Sequence, residues 1–136
     1  MGNSMKYKKI SALLVWSLAL FGCDSGSYKE KNQRIVIDSM KKKLPIVYDE
    51  NFALVDVSKD NDQFIYKYEI KNIEEVELTS PEFEQSSRTG ILELYCSDNK
   101  DIAHFKEIFM DGIRYDYYLN NKKMLSIIVK STDCTR

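Results

Sequence analysis

Three cysteines, one histidine and twenty-one carboxylates are the side chains of this 136-residue chain best suited to covalent, metal or acid–base chemistry. A redox-active thiol pair favours Cys-x-x-Cys spacing at a helix start, whereas Cys96 and Cys134 stand about 38 residues apart and Cys23 is remote from both. One imidazole, His104, does not make a zinc site of the usual kinds, so no metal is assigned. Glycine-rich phosphate loops, nucleophile elbows and metal-binding helix motifs are missing from the sequence. The acid pairs Glu74 with Glu75, Glu82 with Glu84, and Asp98 with Asp101 have the residue types for sugar-bond cleavage, which needs two carboxyls roughly 5 to 9.5 Å apart. The same residues serve as helix-start charges and solvated faces. No catalytic residue or cofactor is assigned, and a small hydrolase of envelope polymers using clustered carboxylates stands as the alternative to a binding protein.

The N-terminus reads differently. Lys6, Lys8 and Lys9 precede the apolar run Ile10 to Phe21, the layout of an export signal whether translation starts at Met1 or Met5. The run is about twelve residues, short of the roughly 20 that span a bilayer as a helix. N-myristoylation at Gly2 is excluded because Lys6 occupies the position that motif reserves for Ser or Thr. Leu20-Phe21-Gly22-Cys23 resembles the lipobox of bacterial lipoproteins, with Phe21 departing from the small residue usual at its place. The resemblance implies cleavage before Cys23, acyl chains on that cysteine, and a membrane anchor, since two or more buried chains suffice for stable attachment. Asp24 resembles the signal that retains enterobacterial lipoproteins in the inner membrane, so the periplasmic face of that membrane is favoured over the outer one. With Cys23 acylated, Cys96 and Cys134 are left as a pair in an oxidising compartment, and a disulfide is expected.

The organisation that follows is a signal over 1–22, a polar lipidated tether over 23–33, and one domain over 34–136. The signal contributes three lysines and no acid, so the remainder is near −4 and has no basic footprint for nucleic acid. Lys41-Lys42-Lys43 is read as the solvated C-terminal end of a helix, where cations suit the dipole.

The elements come from periodicity. Val36, Ile37, Met40 and Leu44 line one face of a helix over 32–44 that Pro45 ends. Phe52 to Val57 and Phe64 to Ile70 predict a hairpin turning through Ser58 to Asp62. Thr79-Ser80-Pro81-Glu82 opens a second helix with Phe83, Ser87, Ile91, Leu94 and Tyr95 inward. Ser97-Asp98 opens a third, with Ile102, Phe105, Ile108 and Phe109 inward, stopped at Gly112. Ile113 to Leu119 and Leu125 to Val129 form a hairpin about Asn120-Asn121. The fold class is α+β, order α-β-β-α-α-β-β, an antiparallel sheet of two hairpins with about three helices on one face.

Tyr66, Tyr68, Tyr115, Tyr117 and Tyr118 concentrate in the hairpins. Alternation places the first four inward as core and Tyr118 on the opposite face, which makes Tyr118 the candidate contact for a partner. The final third, from Cys96 through Tyr115-x-Tyr117 to Asp133-Cys134, is similar to small exported bacterial proteins, a resemblance that implies fold and disulfide rather than activity. The reading is a non-enzymatic, membrane-anchored binding or accessory module of the cell envelope, of secretion, conjugation, entry-exclusion or immunity type, with a protein partner.

Overall fold

A computed structural model describes residues 28–134, which divide into two units at Arg34. Helix α1 occupies 28–41, so the segment read as tether is helical from 28 onward. Cys23, Asp24 and the signal lie outside the described residues. Within the unit Ile35–Arg136, α1 presents Val36, Ile37 and Met40 to the core at helical spacing, and Lys41, Lys42 and Lys43 are exposed at its C-terminal end. Lys41 Nζ lies 3.7 Å from the Asp56 carboxylate. The Leu44–Pro45 peptide bond is cis.

Five strands follow in one sheet: β1 (Ile46–Asp49), β2 (Phe52–Asp60), β3 (Gln63–Ile70), β4 (Ile113–Leu119) and β5 (Lys122–Val129), in that spatial order. Between β3 and β4 run α2 (Glu75–Leu78), α3 (Pro81–Tyr95) and α4 (Lys100–Ile108), and a 3-10 turn, Ser131–Cys134, follows β5. Both expected hairpins are present, but the sheet is mixed rather than antiparallel. β3 and β4 pair in parallel, Phe64 opposite Ile113 through Ile70 opposite Leu119. The helical crossover returns the chain to the start of β3 before β4 begins, and this alone fixes a parallel pairing. Strand β1 and helix α2 were not expected; each is four residues, too short for a periodic signal.

Local chemistry explains the boundaries. Ser80 Oγ accepts the Phe83 N–H at 3.2 Å and Pro81 occupies the first position of α3. The cap of α4 is Asn99, not Ser97 or Asp98: its Oδ1 accepts from the Asp101 and Ile102 amides at 2.8 and 3.3 Å. The first hairpin turns at Asn61-Asp62 rather than from Ser58, with Asn61 at φ 52°. Asn120 and Asn121 are both left-handed, at 52° and 65°, as a two-residue hairpin turn requires. A bulge at Val55 lets Leu54 and Val57 face the helices together, opposite Tyr68 and Tyr66.

Phe64, Phe109, Leu54, Leu78, Ile127 and Val129 are fully buried between helices and sheet. Gly112, at φ 91°, closes the crossover where a Cβ would collide with the Val129 carbonyl. Cys96, at the C-cap of α3, is disulfide-bonded to Cys134 in the 3-10 turn, with Cα atoms 5.4 Å apart.

Candidate functional site: a tyrosine-floored groove

The parallel pairing sets Tyr66 beside Tyr115 and Tyr68 beside Tyr117. Alternation within each strand turns all four rings to the helical side, where they stack with centroids 5.1 Å apart for Tyr66 and Tyr115 and 5.4 Å for Tyr68 and Tyr117. Phe52 stacks on Tyr68 at 4.8 Å and Tyr48 meets Phe52 at 5.3 Å with its ring tilted by 34°, extending the aromatic row to the edge strand. Pairs of this geometry contribute about 0.5 to 1.5 kcal/mol beyond their buried area, so the row is rigid without a ligand.

The helices do not cover this floor completely. A trough of about 520 Å³ lies above it, walled by Met40 of α1, by Ile46 and Tyr48 of β1, and by Ser86, Ser87, Gly90, Ile91 and Leu94 of α3. That volume is within the range of binding clefts. A second hollow of about 220 Å³ shares Tyr66, Leu94 and Tyr115 and continues to Tyr95, Asp101, Ile102 and Phe105. Together they form one groove along α3. Its wall is low because α3 presents Ser86, Ser87 and Gly90 where a core helix would present large side chains. A Cβ added at Gly90 meets nothing within 4 Å. Leu94, expected in the core, is 57% exposed at the groove's lip.

Burial raises the pKa of the phenols of Tyr66, Tyr68 and Tyr115, reinforced by neighbouring tyrosines, and pushes Tyr117 up to about 12. All four therefore stay neutral at physiological pH and can each donate and accept a hydrogen bond. An apolar floor carrying neutral hydroxyls suits an apolar side-chain row with polar backbone or side-chain groups alongside it.

The other singled-out residues fall elsewhere. Tyr118 is on the opposite sheet face, with Lys67 Nζ 4.5 Å from its ring centroid, and has no part in the groove. Beside it, half-buried Arg114 donates through Nε to the buried Asp116 carboxylate at 3.1 and 3.2 Å, and Ser126 Oγ donates to the same group. His104 is exposed on α4, 3.7 Å from Glu107. Glu74, Glu75, Glu82, Glu84 and Asp98 are exposed at or near helix starts, and of the singled-out carboxylates Asp101 alone is also a lining residue of the second hollow. The groove escaped sequence reasoning because the tyrosine alternation looks the same whether helices cover the floor or leave it open. The signal that was available is Ser86-Ser87-x-x-Gly90, small residues on a face where a packed helix needs large ones.

No described helix is long and apolar enough to cross a membrane. No family model matches the sequence. The chain is 38% identical over 87 residues to Protein K of Escherichia coli, a match covering 64% of this chain and 46% of that protein, so the chain spans about half the length of the curated relative it matches. Three solved structures share the fold. A Pseudomonas aeruginosa protein described as secreted aligns with a TM-score of 0.66 at 13% identity, over 79% of this chain and 94% of that one. The pilotin EpsS of the Vibrio vulnificus type 2 secretion system aligns at 0.55 and 14% identity, over 81% and 98%. The type II secretion system pilotin AspS of Vibrio cholerae aligns at 0.52 and 14% identity, over 79% and 97%. At such identities the likeness establishes the fold alone, an α+β fold shared with that secreted protein and the two pilotins.

Proposed function

We propose that this chain is a lipid-anchored, non-enzymatic accessory protein of the bacterial cell envelope that seats a partner polypeptide in the tyrosine-floored groove. The observation that carries this reading is the open groove itself, a floor of stacked tyrosine rings that α3 leaves uncovered. The fold it shares with two pilotins supports a secretion-accessory role within the envelope class. The lipobox supplies the anchor: acyl chains on Cys23 hold the domain at the membrane, and Asp24 favours the inner membrane. The disulfide between Cys96 and Cys134 suits an oxidising compartment.

Two variants test the reading. Labelling cells with an alkyne fatty acid should tag the wild type and leave Cys23→Ala untagged and absent from the membrane fraction. Gly90→Phe should retain label and membrane location while losing the co-purifying partner, because Gly90 lines the groove and a Cβ there meets nothing within 4 Å. Untagged wild type removes the anchor, and an unchanged partner with Gly90→Phe removes the groove.

A further inference from the structure

The partner's chemistry is written in the distribution of charge. Helices α3 and α4, which supply the crossover's residues to the groove, hold with the link between them six carboxylates and three cations over 81–108. The other described residues hold fourteen carboxylates and thirteen cations, so three of the four excess negative charges lie on this two-helix stretch beside the groove. Glu82 and Glu93 follow the helical spacing that places them on the flank of α3 shared by Ser86 and Gly90, and both are exposed. Asp101 lines the far end directly. Of the three cations in the crossover, Arg88 is turned away, its Nη1 donating to the Ile128 carbonyl on edge strand β5 at 3.0 Å. Lys106 lies over the Tyr95 ring at 4.5 Å, and Lys100 is exposed at the start of α4.

Taking the groove as a polypeptide site, we infer that its occupant is a cationic amphipathic segment, with an apolar stripe on the tyrosine floor and lysine or arginine side chains along the acidic lip. Carboxylates at the lip act over about a Debye length and favour encounter with a cationic partner while opposing an anionic one. The same charge opposes an anionic lipid surface on this face. The apolar floor selects the stripe, and the lip selects the sign of its flanks.

The test uses the full chain extracted in neutral detergent and three synthetic probes of about 18 residues, long enough for helix formation. One sets leucine at helical i, i+3, i+4, i+7 spacing with lysine elsewhere, forming an amphipathic helix, one replaces lysine by glutamate, and one replaces leucine by serine. Fluorescence anisotropy should show the leucine–lysine probe binding at least about tenfold more tightly than either other probe, with the preference shrinking in 0.5 M salt. Glu82→Gln, Glu93→Gln and Asp101→Asn combined should reduce the advantage over the glutamate probe to less than about threefold. Gly90→Phe should abolish binding of the leucine–lysine probe, and Ser86→Trp serves as a second blocking variant, with circular dichroism confirming the fold of each. Equal affinity for lysine and glutamate probes, both lost with Gly90→Phe, overturns the charge inference and leaves the groove. Binding that survives both blocking variants overturns the groove. Capture of phosphatidylglycerol vesicles through the groove would assign it to lipid and overturn the inference.

Discussion

Tyr95 and Gly112 show how single residues set the terms of this fold. Tyr95 is 2% exposed at the end of α3, and its hydroxyl has no hydrogen-bond partner among the described residues. A buried unpaired hydroxyl costs about 1 to 3 kcal/mol, so Tyr95→Phe should leave stability unchanged or raise it by about 1 kcal/mol in denaturant titration. Gly112 is the opposite case. Its φ of 91° and the Val129 carbonyl leave no space for a methyl, and Gly112→Ala should destabilise by about 3 kcal/mol or more. The groove tyrosines have pKa values raised in the folded state above those of the unfolded chain. The stability this confers is complete below pH 10 and is lost as pH rises toward and beyond about 12, because the unfolded chain then releases protons the native state retains. Absorbance at 295 nm should show a late phenolate fraction that appears together with loss of circular dichroism.

At the level of elements, the disulfide and the caps decide how firmly the crossover is held. Cys96 and Cys134 close a loop of 38 residues that contains α4 and the β4–β5 hairpin. Chain entropy assigns such a loop about 4 kcal/mol, so Cys96→Ala with Cys134→Ala should lower the unfolding free energy by roughly 2 to 4 kcal/mol. Strand alternation, the proline start of α3 and the Asn120-Asn121 turn were legible because each is a local rule acting on adjacent residues. The cap at Asn99 was not, since Ser97, Asp98 and Asn99 all have capping side chains and only the backbone path selects one. The bulge at Val55 was equally hidden: Ala53, Leu54, Val55 and Val57 are apolar on both faces, so the sequence carries no sign of the skipped residue. The parallel pairing of β3 and β4 depends on where a long crossover ends, which is a property of tertiary structure.

For the molecule as a whole, the described residues form a domain with an open aromatic groove and carboxylates on the helices beside it, and the proposed membrane anchor at Cys23 lies outside them. The anchor is proposed from four residues outside the described ones, and the disulfide was expected on the same reading. The groove was not, because inward tyrosines become a site only when α3 fails to cover them. Its function as the partner site is the central claim, and site-specific photo-crosslinking in intact cells tests it most directly. A benzophenone side chain at Leu94, on the groove lip, is expected to trap one defined protein, and the same group at Tyr118, on the opposite sheet face, is expected to trap none. A defined adduct at position 118 with none at 94 would contradict the account and move the partner site to the far face of the sheet.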